Sequence, residues 1–287
     1  MRDMRLRVAS WNLNAGRGLS PQRLELVRGS LAELAPDVLL IQELTAAGAA
    51  RATLAEALCS LGLAHVAGPR PERLGFGSAI ASRWPLTELP APAVAPFPEL
   101  IARADVHAPP GPVTAISVHA PNGSNHGWKK IETIEAVLSE VSALAGSPFV
   151  VGGDFNEPVD VLSDGTFVSK AAEGRLPGGS LASPWTRPEK PVGGVGGTVR
   201  RGFPRSRWQS AVVDLLQPGP GAGHVRAHSG QHVTTHINRG TERFFDHIVV
   251  SRTLTVASSG YLHRVRESPN AASDHSLVWA DLRPSAG

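Results

Sequence analysis

Six segments of the chain join an apolar, strand-like run to a short cluster of polar side chains. The clusters lie at residues 10–14, 39–43, 117–122, 150–156, 243–247 and 273–275. A strand inside a core has no structural need for carboxylates, amides and imidazoles at its tip, and burying them unpaired is costly. Six such tips, scattered between residues 10 and 275, therefore predict one polar pocket that the fold assembles.

Strand-like and helical patterns alternate along the chain. Apolar runs rich in β-formers predict strands over residues 6–11, 38–42, 77–82, 100–107, 113–119, 149–153, 212–216, 232–237, 244–251 and 276–282. Helical spacing predicts helices that begin at Ser20-Pro21 and end before Pro36, and over residues 49–61 and 128–144. Proline-rich connections are expected over residues 85–98 and 109–112. This order is typical of two sheets packed together with helices outside.

The length of 287 residues is within reach of one large α/β unit, and hydrophobic residues make up 41% of it. We find no linker that divides the chain, so we expect a single domain over residues 1–287. Within it, a loop rich in glycine, proline and arginine is expected at about residues 174–210. The pattern leaves the oligomeric state open.

The formal charge is only +3, although the isoelectric point is near 9.5. This balance is compatible with a polyanionic partner without requiring one. The single cysteine, Cys59, excludes disulfides within the chain and stands in an apolar helical context, which is typical of a small core residue. No segment has the pattern of a transmembrane helix or of a secretory h-region. We therefore expect a cytoplasmic protein.

The oxygen-bearing side chains at the strand tips suggest a hard divalent cation. Glu43 ends one apolar run, Asp154 and Asn156 follow another after two glycines, and Asn12 and Asn14 follow the first. Taken singly, Glu43 is typical of an exposed acid and the others of turn formers. Together they suit Mg²⁺ or Mn²⁺, which prefer carboxylate and carbonyl oxygens. The scarcity of cysteine and the lack of HExxH spacing argue against a structural or zincin-type zinc site.

Imidazoles complete the set of candidate site residues. His119 ends a predicted strand, and His275 stands between Asp274 and Ser276. Asp246 and Asp274 are candidate partners that would hold His275 in one tautomer and favour its protonated form.

The segments SWNLN, IQE, SVHAPN, GGDFN, RFFDHIVVS and SDH resemble, in this order, the motifs of the endonuclease/exonuclease/phosphatase superfamily, whose fold is that of deoxyribonuclease I. Any one motif occurs by chance, but the ordered set spans nearly the whole chain. The resemblance implies a two-sheet, four-layer α/β sandwich, with helices outside two mainly antiparallel or mixed sheets. It also implies metal-dependent attack of water on phosphorus at one sheet edge.

The resemblance further implies roles for single residues. Asn12 and Glu43 would hold the cation, with Asp274 close enough to assist. Asp154 would activate the water, and Asn156 would donate a hydrogen bond to the developing charge. His275, paired with Asp246, would bind the scissile phosphate or exchange a proton with it. His119 would be a phosphate ligand or an acid for the leaving group, and Asn14 and Asn122 would contact the substrate.

The substrate stays open among phosphate esters, because fold alone does not choose. Arg200 and Arg201, with Arg205, Arg207 and interleaved aromatics, favour nucleic acid, although an ordinary solvated basic loop explains them equally well. Trp128-Lys129-Lys130 is a second basic-aromatic segment, in which Trp128 could instead be a core residue. The expectation is a nuclease-type phosphodiesterase. The alternatives are hydrolysis of a small or lipid phosphate ester of sphingomyelin or inositol type, and more remotely a non-catalytic binding protein.

Overall fold

The structure is a computed structural model. It describes residues 5–15, 19–45, 48–71, 74–109, 111–158, 160–161, 165, 167–168, 207–230, 233–238, 240–267 and 271–285. Most of the predicted loop at residues 174–210, with Arg200 and Arg201, lies outside these ranges. Within them no helix combines the length and the apolarity that crossing a membrane requires.

The elements follow one another in two strand-rich halves. The strands are β1 Leu6–Asn12, β2 Val38–Thr45, β3 His65–Ala67, β4 Phe76–Ser82, β5 Leu86–Leu89, β6 Ile101–Val106, β7 Val113–His119, β8 Phe149–Asp154, β9 Asp160–Val161, β10 Phe167–Val168, β11 His224–Arg226, β12 His236–Asn238, β13 Thr241–Arg243, β14 Asp246–Ser251, β15 Leu254–Leu262 and β16 Leu277–Pro284. The helices are α1 Pro21–Leu34, α2 Gly48–Ser60, α3 Gly123–His126, α4 Lys129–Ala143, α5 Arg207–Leu216 and α6 Arg264–Glu267.

Two six-stranded sheets form the centre of the molecule. The first has the order β15-β16-β1-β2-β4-β3 and the second the order β11-β14-β8-β7-β6-β5. Each sheet contains one parallel pair, β1 with β2 and β7 with β8, and the other pairs in it are antiparallel. Both parallel pairs are joined by a helical connection, α1 in one case and α3 with α4 in the other. Parallel neighbours need such a crossover.

Three apolar clusters divide the described residues into four layers. Between the sheets lie side chains such as Val8 and Leu40, packed with Val150 and Ile248. Outside the first sheet, α1 and α2 cover a second cluster, and outside the second sheet α4 and α5 cover a third. The layer order is therefore helix, sheet, sheet, helix. This confirms the predicted two-sheet, four-layer α/β sandwich with two mixed sheets.

The two glycines before Asp154 permit close packing around β8. A Cβ on Gly152 would lie 2.7 Å from Leu40 Cδ1, in the opposite sheet. A Cβ on Gly153 would collide with the backbone carbonyl of Val118 on β7. The sequence-based inference that the backbone approaches another group closely at this point is confirmed.

Most predicted elements are present with small shifts of their ends, but several stretches differ from prediction. The strand predicted over residues 232–237 begins only at His236 in the described residues. The run 212–216, predicted as a strand, is the end of helix α5. Val212, Val213, Leu215 and Leu216 of this run are buried and only Asp214 is exposed, so such a short apolar run is ambiguous between the helical and strand periods. Strand β5 lies inside the predicted proline-rich connection, and strands β3, β11, β13 and β15 were not predicted.

Candidate active site

The strand directions bring the predicted polar tips to one end of the two sheets. Asn12 and Glu43 lie at or near the carboxyl ends of the parallel strands β1 and β2, and His119 and Asp154 end the parallel strands β7 and β8. Antiparallel strands begin where their neighbours end, so Asp246 at the start of β14 pairs with Asp154. His275 precedes β16, which is antiparallel to β1. The carboxyl ends of the parallel strands and the amino ends of their antiparallel neighbours therefore lie at the same edge of the two sheets.

A cavity of about 270 Å³ opens at this edge. The predicted residues that line it are Asn14, Glu43, His119, Asn122, Asp154, Asn156, Asp274 and His275. Leu74, Phe76, Leu100, Pro121, His126, His236 and Phe245 complete the lining. Polar residues that are remote in the sequence thus share one cleft, as the sequence predicts.

Asp154 is the centre of this arrangement and is only 2% exposed. Its Oδ2 accepts a hydrogen bond from Asn12 Nδ2 at 3.0 Å and lies 3.6 Å from His275 Nε2 and 3.7 Å from His119 Nε2. Burial acts to raise the pKa of Asp154. The opposing effects, chiefly positive charge on His275, hold that pKa below its usual value, so the carboxylate is ionised.

Glu43 is placed by an irregularity in the sheet. The register between β2 and β4 shifts between Ile41 and Leu44, and Glu43 there has a φ of 56°. Such a bulge turns a side chain away from its regular direction. The Glu43 Oε1 atom accepts a hydrogen bond from Asn12 Nδ2 at 3.2 Å and lies 3.9 Å from His119 Nε2. The Asn12 amide group therefore bridges the Glu43 and Asp154 carboxylates.

Left-handed backbone conformations are concentrated at the cavity. Among the described residues, four other than glycine have positive φ, and three of them line this cleft: Asn14 at 47°, Glu43 at 56° and Asn156 at 51°. The fourth, Ala35, is the C-cap of α1. Asparagine adopts the left-handed region more readily than most residues, whereas for Glu43 this conformation is uncommon and persists where the surroundings impose it. This distribution indicates a site held in a specific geometry.

His275 and Asp246 form a buried pair next to Asp154. The His275 Nδ1 atom lies 2.9 Å from Asp246 Oδ2, and the two residues are 5% and 1% exposed. Thr235 fixes the carboxylate-bearing segment, because its Oγ1 accepts hydrogen bonds from the backbone N–H groups of Phe245 and Asp246. Burial acts to lower the pKa of His275, but the Asp246 and Asp154 carboxylates outweigh it and raise that pKa to about 10. Burial raises the pKa of Asp246. The His275–Asp246 pair therefore keeps the proton that the two residues share at neutral pH.

A second polar cluster adjoins this pair. Asp274 Oδ1 accepts a hydrogen bond from Asn14 Nδ2 at 2.9 Å, and Asp274 Oδ2 lies 3.7 Å from His236 Nε2. The ring of His236 lies 4.4 Å from that of His275 and stacks on Phe245 at 5.6 Å. Burial acts to raise the pKa of Asp274, but the neighbouring histidines hold it well below its usual range. Asp274 is therefore ionised.

The family assignment follows from comparison with known sequences. The model of the Endonuclease/Exonuclease/phosphatase family matches residues 9–275, which is nearly the whole chain. The chain belongs to this family. The resemblance inferred from the motifs is thereby confirmed. None of the curated protein sequences compared with the chain matches it significantly.

Solved structures of the endonuclease/exonuclease/phosphatase type share the fold. A humanized TDP2 from D. rerio is 16% identical, with 97% of this chain and 99% of that chain covered at a TM-score of 0.65. An AP endonuclease from Archaeoglobus fulgidus is 20% identical, with 96% and 98% covered at 0.65. ANGEL2, a 2',3'-cyclic phosphatase, is 19% identical, with 99% and 96% covered at 0.61. At such identities the likeness establishes the fold alone.

Members of the endonuclease/exonuclease/phosphatase family are phosphoesterases that generally depend on a divalent metal, and the donor set of this chain fits one. The carboxylates of Glu43, Asp154 and Asp274 line one small cavity and supply oxygen donors to it. Oxygen donors of this kind suit Mg²⁺ or Mn²⁺. His236, Asp274 and His275 also place three ligand atoms within 4.8 Å of one another, as do Asp154, Asp246 and His275.

Several contributors to the site were not found from the sequence. His236, Phe245, Phe76 and His126 line the cavity, and Thr235 supports Asp246. Thr235, His236 and His126 belong to none of the strand-tip clusters, so no pattern marked them. Phe76 begins β4 and packs against His119 with ring centroids 5.5 Å apart. Only the tertiary structure shows these neighbours.

The segment Trp128-Lys129-Lys130 does not act as one exposed basic-aromatic surface. Trp128 is 9% exposed in the core beside α4, and Lys130 is 3% exposed. Lys129 alone is exposed, with its Nζ 4.8 Å from the Phe97 ring centroid. The alternative reading of Trp128 as a core residue is therefore correct.

Proposed function

We propose that this protein is a Mg²⁺- or Mn²⁺-dependent phosphodiesterase that hydrolyses nucleic acid or a nucleotide ester. One observation carries the proposal. An ionised, buried Asp154 lies within 4 Å of two imidazoles and in hydrogen-bond contact with Asn12, in the same cavity as Glu43. A carboxylate so placed is suited to orient a water molecule and to accept its proton.

Asn156 and His275 supply hydrogen-bond donors to the reacting phosphate. The Asn156 side chain lines the cavity, where its amide can donate to negative charge that develops on phosphoryl oxygens. The Nδ1–H of His275 points to Asp246 Oδ2. The Nε2 atom of His275 lies 3.6 Å from Asp154 Oδ2 and 4.0 Å from Asp274 Oδ1, which is beyond hydrogen-bond distance of both. That Nε2–H is therefore available to bind the scissile phosphate.

Glu43 and Asn12, which are hydrogen-bonded to each other, are the residues that would hold the cation, and Asp274, which accepts a hydrogen bond from Asn14, would assist. When bound, a divalent cation polarises a phosphoryl oxygen and stabilises the leaving oxyanion. His119 completes the proposal as a phosphate ligand or as the acid for the leaving group, since its Nε2 faces both Glu43 and Asp154. Asn14 and Asn122 line the cavity as substrate contacts.

Nucleic acid is the preferred substrate class on two grounds. A D. rerio TDP2 structure of the same fold, 15% identical at a TM-score of 0.62, holds a single-strand DNA product, and the ANGEL2 structure holds adenosine-2',3'-vanadate. The isoelectric point near 9.5 and the basic segment with Arg200 and Arg201 suit a polyanion. Small-molecule or lipid phosphate esters remain the second candidate, and the cytoplasmic location inferred from the sequence stays a prediction.

A substrate panel tests the proposal. Single-stranded and abasic duplex DNA, RNA, a 2',3'-cyclic nucleotide, sphingomyelin, an inositol phosphate and bis(p-nitrophenyl) phosphate would be incubated with Mg²⁺, with Mn²⁺ and with a chelator. We expect cation-dependent cleavage of the nucleic acid or nucleotide substrates. Cleavage of the lipid or inositol ester alone would favour the second candidate. Binding without cleavage of any ester would contradict an enzymatic function and favour a binding protein.

The double substitution Arg200→Ala/Arg201→Ala tests the proposed basic contact. If both guanidinium groups neutralise phosphates, the slope of log K against log salt concentration should become shallower by about 1.4 for single strands and about 1.8 for duplex. Affinity for DNA would be measured by fluorescence anisotropy between low and high salt. Arg28→Ala with Arg83→Ala serves as the control, because it removes two positive charges that lie outside the cavity, each paired with a carboxylate. An unchanged slope would remove Arg200 and Arg201 from the substrate site.

A further inference from the structure

A buried lysine of helix α4 contacts the turn that follows Asp154. Lys130 is 3% exposed, and its Nζ donates a hydrogen bond to the backbone carbonyl of Asn156 at 2.6 Å. The same Nζ lies 2.6 Å from Oε1 of Glu157, which is fully buried. A buried ion pair is weak evidence for stability, because desolvation offsets much of the attraction. Its place against a candidate catalytic turn therefore suggests a different role.

The Asn156 turn is held by three separate contacts. The Asn156 backbone N–H donates to Asp154 Oδ1 at 2.8 Å, and its side-chain Nδ2 donates to the Ala120 carbonyl at 2.8 Å. The third contact is the one from Lys130 to the Asn156 carbonyl. Asn156 has a φ of 51°, a left-handed conformation that asparagine tolerates better than most residues, and these contacts help to hold it there.

Lys130 itself stands on a rigid support. The residues Ile131 and Ile134 of the same helix are fully buried in the cluster between α4 and the second sheet. Lys130 does not line the cavity, so it reaches the reacting groups only through Asn156.

We propose that Lys130 is a positioning residue, charge-balanced by Glu157, that fixes the Asn156 turn and through it the orientation of Asp154. The inference rests on the proposed phosphodiesterase function. The Lys130 ammonium binds the backbone carbonyl of Asn156 and so restrains the backbone dihedral angles of this residue. These angles set the direction of the Asn156 backbone N–H, which donates to Asp154 Oδ1 and thereby orients that carboxylate.

The variants Lys130→Met and Lys130→Arg test this with bis(p-nitrophenyl) phosphate. We expect Lys130→Met to lower kcat by about 10- to 100-fold, the range seen when the support of a site residue is lost. KM and the half-saturating Mg²⁺ concentration should change by about twofold or less, because the lost geometry matters chiefly in the transition state. Lys130→Arg keeps a donor and a charge, so it should restore most of kcat.

A double variant separates positioning from stability. Lys130→Met leaves Glu157 buried without its lysine, and Tm should fall by roughly 5–15 °C. Lys130→Met/Glu157→Leu replaces the pair by apolar side chains, which is often neutral for stability, so Tm should recover while kcat stays low. Val137→Ala, seven residues further along α4 and fully buried, should lower Tm and leave kcat near wild type.

Hydrogen exchange supplies a readout that does not depend on activity. In Lys130→Met, and in the apolar double variant, the Asn156 backbone amide should exchange at least about 10-fold faster than its neighbours in β8, and Val137→Ala should not show this local effect. Unchanged exchange at Asn156, or recovery of kcat in the double variant, would overturn the positioning role. Failure of the wild-type protein to cleave any ester would contradict the proposed function and leave the exchange result to decide the inference.

Discussion

Replacing Asp154 by asparagine should lower kcat by at least about 10²-fold with Mg²⁺ present. The substitution keeps the shape of the side chain but removes the negative charge that lies 3.0 Å from Asn12 Nδ2 and within 4 Å of two imidazoles. Without that charge the side chain cannot accept the proton of an attacking water. Steady-state kinetics on bis(p-nitrophenyl) phosphate and on the preferred nucleic acid would measure the loss.

The control for this prediction is an exposed carboxylate outside the cleft. Glu56→Gln, on the exposed face of α2, removes one negative charge and should leave kcat within about twofold of wild type. Circular dichroism and Tm would establish that Asp154→Asn is folded. Because Asp154 and His275 are expected to act as a unit, Asp154→Asn/His275→Gln should lose little more than either single variant. A folded Asp154→Asn protein with a near wild-type rate would refute the assigned role.

Stability should fall steeply as the pH is lowered from about 6.5 to about 4. Burial lowers the pKa of His247 to about 3 and that of His228 to about 4. In the unfolded chain both histidines take up protons near pH 6.5, whereas the folded chain resists them until much lower pH. The unfolded state therefore binds more protons in this window, and the free energy of unfolding decreases with falling pH by up to about 1.4 kcal/mol per histidine per pH unit.

The size of this effect is comparable to the total stability of a domain. At pH 4.5 the two histidines together would remove roughly 5 kcal/mol, against a typical free energy of unfolding of about 5–15 kcal/mol. His275 has its pKa raised to about 10, so the stability it contributes is fully present below about pH 6.5 and is lost as the pH rises towards 10. The titration of His275 therefore does not offset the loss of stability that His247 and His228 cause at acid pH.

Urea unfolding at several pH values between 7 and 4.5 would measure the acid effect. His247→Gln keeps a donor for the carbonyls of Glu157 and Phe244, and it should make the decline of unfolding free energy with pH shallower. His65→Gln, at an exposed position on β3, is the matched control and should leave the slope unchanged. An equal slope in wild type and His247→Gln would show that burial of this imidazole does not control acid stability.

Much of the fold was predictable because its signals are local. Ser20 caps α1 through a hydrogen bond from the Arg23 N–H to its Oγ, and Pro21 occupies the first turn, as the sequence predicts. Strand β7 has the predicted bounds, because four of its seven residues, in the sequence VTAISVH, are the β-branched Val, Thr and Ile that favour strands. In contrast, the short run at residues 212–216 fits helix and strand equally well. Packing of α5 against the second sheet decides between them.

The amino-acid sequence by itself determined which side chains could form a site. Carboxylates, amides and imidazoles placed after apolar strands have few structural uses, and their order along the chain identified the family. The tertiary structure alone decided how they are arranged: the bulge that aims Glu43, the stacking of His236 beside His275, and the buried pair of Lys130 with Glu157 beside the Asn156 turn. These contacts join residues far apart in the chain, and their geometry depends on strand register and sheet packing, which local composition does not encode.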